Sequence, residues 1–205
     1  MPDLAGTAAA LCDLGRLCYA RGWVFGTSGN FSAVLGREPL RLAITPSGAD
    51  KGGLNAAEIL EIDASGELLS GTGRPSAETA IHVAIARAAG AGAVVHTHST
   101  WSTLLSEAHA AEGGLALQGY EMLKGLTGVS THAHREWIPI LENTQDWAAE
   151  APNVEERLRR DGAGHAFLIR RHGLYTWGRD VAEARRHVEI LEFLLEVVGR
   201  SEWRS

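Results

Sequence analysis

The sequence predicts an α/β fold in which a mixed, largely antiparallel sheet is covered by helices. Two observations carry that expectation. Segments with apolar residues every three or four positions are interspersed irregularly with short apolar runs bounded by glycine, proline and hydroxyl turns, so a doubly wound parallel sheet is not indicated. The residue balance is that of a globular chain, with 205 residues, 45% hydrophobic and 21% charged, enough to bury one core.

A first helix is expected over Ala8 to Tyr19, where Leu11, Leu14, Leu17 and Cys18 recur at helical spacing and Gly22 stands where a helix end favours glycine. Phe25-Gly26-Thr27-Ser28-Gly29-Asn30 reads as a loop that exposes backbone N–H groups, before strands Phe31 to Leu35 and Arg41 to Ile44. The second strand ends in Thr45-Pro46-Ser47-Gly48, another turn rich in hydroxyls and glycine. Asn55 and Glu58 have the spacing of a capping box, although Ile59 to Ile62 has strand character. Ser76 suits an N-cap and Glu78 the positive end of a helix running to Ala89. An apolar strand then enters VVHTHS, a short helix spans about Trp101 to His109, and Leu115 to Leu117 and Trp137 to Leu141 read as strands. Asn153 is expected to cap a helix through Arg160. His165 to Arg170 and Leu174 to Trp177 read as strands joined by a turn at His172-Gly173. Asp180 with Glu183 forms a capping box for a last helix whose apolar face is Val181, Ala184, Val188, Leu191, Leu195 and Val198. With no repeat, low-complexity tract or linker, residues 1–205 are expected to form a single domain.

Composition narrows the partners. A net charge of −6 argues against a nucleic-acid binder, which would carry a basic patch or stripe. No apolar run approaches the roughly 18 residues a membrane span needs, and the N-terminus lacks a basic region followed by an apolar one. Cys12 and Cys18, six apart in a helix, do not face each other well enough to bridge, so a reducing, cytoplasmic setting is expected.

Three constellations carry chemistry. His96 and His98 follow the apolar run Ala93-Val94-Val95; on a strand their side chains leave the same face about 6 to 7 Å apart and can converge on one metal ion. Two half-buried polar residues at a strand end would look the same. His172, at a tight turn before Gly173, is the better third ligand, and three imidazoles leave the fourth position of a catalytic zinc open. His132 and His134 form a rival pair, but no apolar strand leads into it. The glycine-rich turns, with Ser28, Ser47 and Ser76, can hold a dianion without a basic patch, yet such residues populate ordinary turns too. Glu78 and Glu121 lie among apolar or small residues, where a carboxylate can be tuned for proton transfer. The plainer roles are a helix-start acid for Glu78 and an ion pair with Lys124 for Glu121.

Taken in order, GTSGNFS, ITPSG, RPSAE, VVHTHS and RRHGLYTWG resemble the class II aldolase and adducin head-domain family over nearly the whole chain. The resemblance implies a three-layer αβα fold around a mixed, mostly antiparallel sheet. It implies a homo-oligomer, commonly a tetramer, with active sites at subunit interfaces and a small sugar-phosphate substrate. One zinc ion per subunit is implied on His96, His98 and His172, with phosphate contacts from Gly29, Asn30, Ser47, Gly48 and Ser76. GYEMLKGLTG followed by PILENTQD resembles the branch that dehydrates 5-methylthioribulose 1-phosphate in methionine salvage, a carbon–oxygen lyase reaction, and implies that Glu121 is the catalytic acid/base. Lys124 and Glu78 are then auxiliary. Sugar-phosphate aldolases and epimerases share the zinc enediolate, and the aldolases use a glutamate at the position of Glu78, so that residue does not separate the activities. A non-catalytic module of adducin type need not keep the three histidines. Trp101, Met122 and Trp137 are apolar candidates to meet the methylthio tail.

Overall fold

The computed structural model describes residues 3–203. Among these, nine strands form one sheet: β1 (Asn30–Arg37), β2 (Leu40–Ile44), β3 (Leu60–Asp63), β4 (Leu68–Ser70), β5 (Ala93–Thr97), β6 (Gly114–Gln118), β7 (Arg135–Leu141), β8 (Ala166–Ile169) and β9 (Gly173–Gly178). Their spatial order is β4-β3-β2-β1-β5-β9-β8-β7-β6, and all neighbours run antiparallel apart from the parallel pair β7 and β8. Five helices cover it: α1 (Leu4–Ala20), α2 (Thr79–Ala88), α3 (Thr100–Ala108), α4 (Trp147–Asp161) and α5 (Val181–Glu202).

Strand alternation divides the core. On β5, Val95 joins Leu11 and Leu14 of α1, Leu105 of α3 and Leu191 and Leu195 of α5, whereas its neighbour Val94 joins Ile81 and Ile85 of α2 and Trp147 and Val154 of α4. The result is the expected three-layer αβα arrangement. All of the expected α5 face is buried except Val181, which is partly so. Each fully buried Leu or Val contributes about 1.5–3 kcal/mol. No helix among the described residues is long and apolar enough to cross a membrane.

Local signals hold with adjustments, one of them at α2, whose N-cap is Glu78 rather than Ser76; Ser76 Oγ instead accepts from the Glu78 N–H, at 3.3 Å, just ahead of the helix. The capping box at Asn55 and Glu58 forms around a one-turn 3-10 segment, Ala56–Glu58, and β3 follows it, so both readings of that stretch were right. Helix α4 begins six residues before Asn153: Asp146 is its N-cap and accepts from the Ala149 N–H at 3.0 Å, while Asn153 donates to Glu150. Pro152 lies inside this helix, and burial of Trp147, Ala151, Val154 and Leu158 carries the helix through it. At α5, Asp180 accepts from the Glu183 N–H at 2.8 Å, but the Glu183 carboxylate accepts from Arg179 N–H, one residue further out than a capping box requires. The edge strand β4 is exposed throughout and shows no alternation from which it could be read.

Candidate active site

One end of the central strands assembles the histidines. On β5, His96 pairs with Asn30 of β1 and Tyr175 of β9, and its Nδ1 donates to the Leu174 carbonyl at 3.0 Å, turning Nε2 toward the strand end. The Tyr175 ring stacks on the imidazole, centroids 4.0 Å apart. His98 lies just beyond β5, its backbone N–H bonded to Trp23 O at 2.8 Å. His172 occupies the β8–β9 turn, where Arg171 has a φ of 54°. A Cβ on Gly173 would stand 1.9 Å from Thr97 O, so only glycine lets this turn press against β5. His172 Nδ1 faces Asn143 Oδ1 at 3.3 Å.

The Nε2 atoms therefore converge. His98 Nε2 lies 2.8 Å from His96 Nε2 and 3.1 Å from His172 Nε2, and the three ligand atoms fall within 4.8 Å of one another. Glu78, just ahead of α2, adds a carboxylate: Oε1 is 3.2 Å from His172 Nε2 and Oε2 is 3.5 Å from His96 Nε2. Burial pushes the His96 imidazole well below its usual range and that of His98 down to about 4, with His172 adding to the His98 effect, so both are neutral at pH 7. Burial pushes the Glu78 carboxyl up, but the His172 hydrogen bond, the electrostatic influence of the adjacent His96 ring and the Asn30 hydrogen bond bring it below the usual carboxylate range. With its Nδ1 proton given to the Leu174 carbonyl, His96 turns an Nε2 lone pair into the small space where the Nε2 atoms of His98 and His172 also converge. The donor set of three imidazoles and one carboxylate fits a divalent metal ion.

The glycine and hydroxyl turns gather beside the triad. Gly29, Asn30, Ser47, Gly48 and Ser76 line one cavity of about 190 Å³ together with Ser28, Glu78 and His98. Gly29 has a φ of 71°, and a Cβ there would lie 2.6 Å from His96 O, so this turn is pressed onto the ligand strand. The Asn30 side chain is occupied in ordering Glu78: Nδ2 donates to Glu78 Oε2 at 2.6 Å, and Oδ1 accepts from His82.

Glu121 and Lys124 stand elsewhere. They lie on a 3-10 segment, Glu121–Gly125, and pair with each other at 2.6 Å; the Glu121 side chain is 71% exposed. Pairing registers fix the separation. The row through Thr97 crosses Leu174, Leu168 and Ile140, whereas β6 ends at Gln118, paired with Arg135 at the other end of β7. With strands about 4.8 Å apart and residues about 3.3 Å apart, Gln118 lies on the order of 25 Å from Thr97.

Polar side chains pin the segment that follows Glu121. Thr127 Oγ1 donates to Glu183 at 2.6 Å, its N–H donates to His187 Nε2 at 3.2 Å, and its carbonyl accepts from His165 Nε2 at 2.9 Å. The His165 Nδ1 donates to buried Glu136 at 2.9 Å, and His134 donates to the same carboxylate at 2.7 Å. His134 is thus engaged here while His132 stands beside Glu121, so the rival histidine pair does not converge. Trp101 packs over Gly199 and against Trp203, Met122 is exposed beside Glu121, and Trp137 lies under Arg135. None of the three lines the cavity beside the triad.

Residues 9–198 match the class II aldolase and adducin N-terminal domain family. The chain belongs to that family. It is 48% identical over 194 residues to a methylthioribulose-1-phosphate dehydratase from Methylococcus capsulatus, covering 94% of this chain and 93% of the relative. A protein of the same name from Sorangium cellulosum is 44% identical over 196 residues, covering 95% and 92%. Among solved structures, a putative aldolase/epimerase/decarboxylase from Escherichia coli superposes with a TM-score of 0.80 at 27% identity, covering 95% of this chain and 89% of that one.

Two further residues bear on the site and were not singled out from the sequence. Lys51 is 1% exposed and lines the same cavity, its Nζ donating to Thr27 O at 3.0 Å and Ala49 O at 2.7 Å. Burial pushes its ammonium down to about 8, against the raising influence of Asp50 and Glu78. A lone lysine after a turn reads as a surface residue, and no local pattern marks it otherwise. Glu192 of α5 is buried beneath β5 and accepts from Thr97 Oγ1, the residue between the first two histidines; burial pushes its carboxyl up to about 7 against hydrogen bonds from Ser99 and Thr97. Its signal was legible, since it follows Val188 by four residues on the apolar stripe of the last helix.

Proposed function

We propose that this chain, acting as one domain over residues 1–205, removes water from 5-methylthioribulose 1-phosphate to give 2,3-diketo-5-methylthiopentyl 1-phosphate, a hydro-lyase step of methionine salvage in the cytoplasm. The observation that carries this reading is the cavity that the phosphate-type turns share with Glu78 and with His98, one of the three converging histidines. Near full-length likeness to methylthioribulose-1-phosphate dehydratases supports dehydration as the outcome.

The 1-phosphate is received by Gly29, Asn30, Ser47, Gly48 and Ser76, which leaves C2 and C3 beside His96, His98 and His172. His96, His98 and His172 would hold a divalent cation, zinc in this reading, which would supply Lewis-acid stabilisation for the negative charge that develops on the substrate. Glu121 removes the C3 proton, and the electron pair is delocalised onto the C2 carbonyl. That pair then forms the C3–C4 double bond as the C4 hydroxyl leaves, taking a proton from the Glu121 carboxyl to depart as water. Protonation of the resulting enol at C4 gives the 2,3-diketone. Lys124 holds the Glu121 carboxyl below its usual range, first through their hydrogen bond and then through its charge, so the base form prevails at neutral pH. Since Glu121 is remote from the triad of its own chain, it serves the cavity of a second copy, and the working unit is a homo-oligomer, a tetramer in this reading. Glu78 remains beside the triad as an auxiliary ligand or base.

That placement of Glu78 favours a second reading, cleavage of a sugar phosphate by an aldolase or epimerase through the same enolised intermediate. Incubating the purified enzyme with 5-methylthioribulose 1-phosphate and following carbon resonances by NMR separates them. Loss of water with an intact carbon chain is the expected result; two carbonyl fragments would replace dehydration by cleavage, and unchanged substrate would refute both.

A further inference from the structure

Lys51 presents an electrostatic problem that a structural role does not solve. It follows β2 and is 1% exposed, yet no carboxylate lies within ion-pair distance of it among the described residues. An ammonium has three donors, and two are committed, to the carbonyls of Thr27 and Ala49. These carbonyls belong to the two different turns that form the cavity beside the triad. A neutral donor could tie them together without the desolvation cost of a buried charge. The backbone at Lys51 is also held firmly: α1 approaches so closely at Gly15 that a Cβ there would stand 2.5 Å from Lys51 O. The cavity's other lining groups are hydroxyls, glycines, an amide, a proline, one carboxylate and the neutral imidazole of His98, so Lys51 is its one basic side chain among the described residues.

We propose that Lys51 is the charged receptor of the phosphate site, with its third N–H and its charge directed to the dianion while its other two bonds set the spacing of the two turns. This rests on the phosphate reading of the cavity given above and extends it to a ligand class, dianionic phosphate monoesters. Free enzyme then carries a buried cation whose compensation arrives with the substrate, so binding of the phosphate group is favoured by a charge-assisted hydrogen bond that hydroxyls and amides alone do not provide.

Titration calorimetry with inorganic phosphate on purified, metal-loaded enzyme tests this without any need for turnover. Wild type is expected to bind phosphate, Lys51→Gln about tenfold or more weakly, and Lys51→Arg within a few-fold of wild type. The glutamine variant keeps a donor for the carbonyls but no charge, so it separates the receptor from the tie. Where Lys51→Gln does not fold, the arginine variant is compared with Lys51→Met at matched metal content. Equal phosphate affinity in the uncharged variant and wild type overturns the proposal, as does an absence of phosphate binding by wild type. In the assay with 5-methylthioribulose 1-phosphate, KM is expected to rise with kcat changed much less. A wild-type enzyme that binds phosphate through Lys51 but does not dehydrate that substrate leaves Lys51 in place and sinks the proposed reaction instead.

Discussion

The two ends of the sheet are built on opposite principles. At one end His96, His98 and His172 crowd together with Glu78, with His96 fully buried and burial holding His96 and His98 neutral, so a donor set that fits a cation is assembled within one chain. At the other, Glu121 stands 71% exposed on a short segment anchored through Thr127, and its ion-pair partners among the described residues are Lys124 and His132. Gripping a cation requires neutral imidazoles in fixed directions, which burial supplies. Moving a proton requires a carboxylate that meets the substrate, and Glu121, to which that role is proposed above, faces outward.

The largest break in this contrast comes from His98→Ala. Losing one of three converging ligands is expected to empty the metal site and lower turnover by at least about 10³-fold, with metal content read by mass spectrometry. Full occupancy in that variant would mean that the triad is not the metal site. Glu121→Gln should do the reverse, keeping metal while kcat falls by about 10²- to 10⁴-fold. Refolding the two inactive variants together sharpens the comparison further. If each site takes its histidines from one chain and its glutamate from another, random mixing restores about a quarter of wild-type activity; no recovery would show that Glu121 does not act in trans.

The sequence disclosed the convergence of the histidines far better than it disclosed their distance from Glu121. His96 and His98 are two apart on an apolar strand, and His172 sits before a glycine that the turn demands, so spacing and turn chemistry point to the same place. The three layers were legible because Val94 and Val95 follow a period of two and the α5 stripe a period near 3.6. Lys51 was not legible, because burial of a lysine depends on α1 and two turns closing over it, contacts distant in sequence. The remoteness of Glu121 was hidden for a similar reason. It depends on β6 lying at the edge, antiparallel to β7, and pairing order is a long-range property that local patterns do not encode.

The two ends also differ in how they respond to pH. His82, which orders Asn30 and so Glu78, is pushed by burial down to about 4, against the raising influence of Glu78. A depressed histidine contributes stability that is present above its unfolded value of about 6.5 and lost as pH falls toward its folded value. For His82 that loss is up to about 3 kcal/mol. Melting temperature in the presence of a chelator should therefore drop between about pH 6.5 and 4, and His82→Gln should flatten that limb. An unchanged limb would place the acid sensitivity elsewhere.

The smallest expected effect has the opposite sign. Both ring nitrogens of His165 donate, to Glu136 and to the Thr127 carbonyl, so the charged form is the one the structure binds; burial opposes this, but the Glu136 pair prevails and the imidazole is raised. Its contribution is complete below about pH 6.5 and fades as pH rises through its folded value, whereas His187, lowered by burial, contributes above about pH 6.5. Because the two partly cancel, the readout is the difference between wild type and His165→Gln, expected to be below about 1 kcal/mol and to shrink from pH 6 to pH 8. The same variant should lower kcat while leaving metal content and phosphate affinity intact, since Thr127 follows Glu121 by six residues on the segment proposed above to serve a second copy. A loss of metal in His165→Gln would mean that the two ends are coupled through the sheet, and the separation of grip from proton transfer would no longer hold.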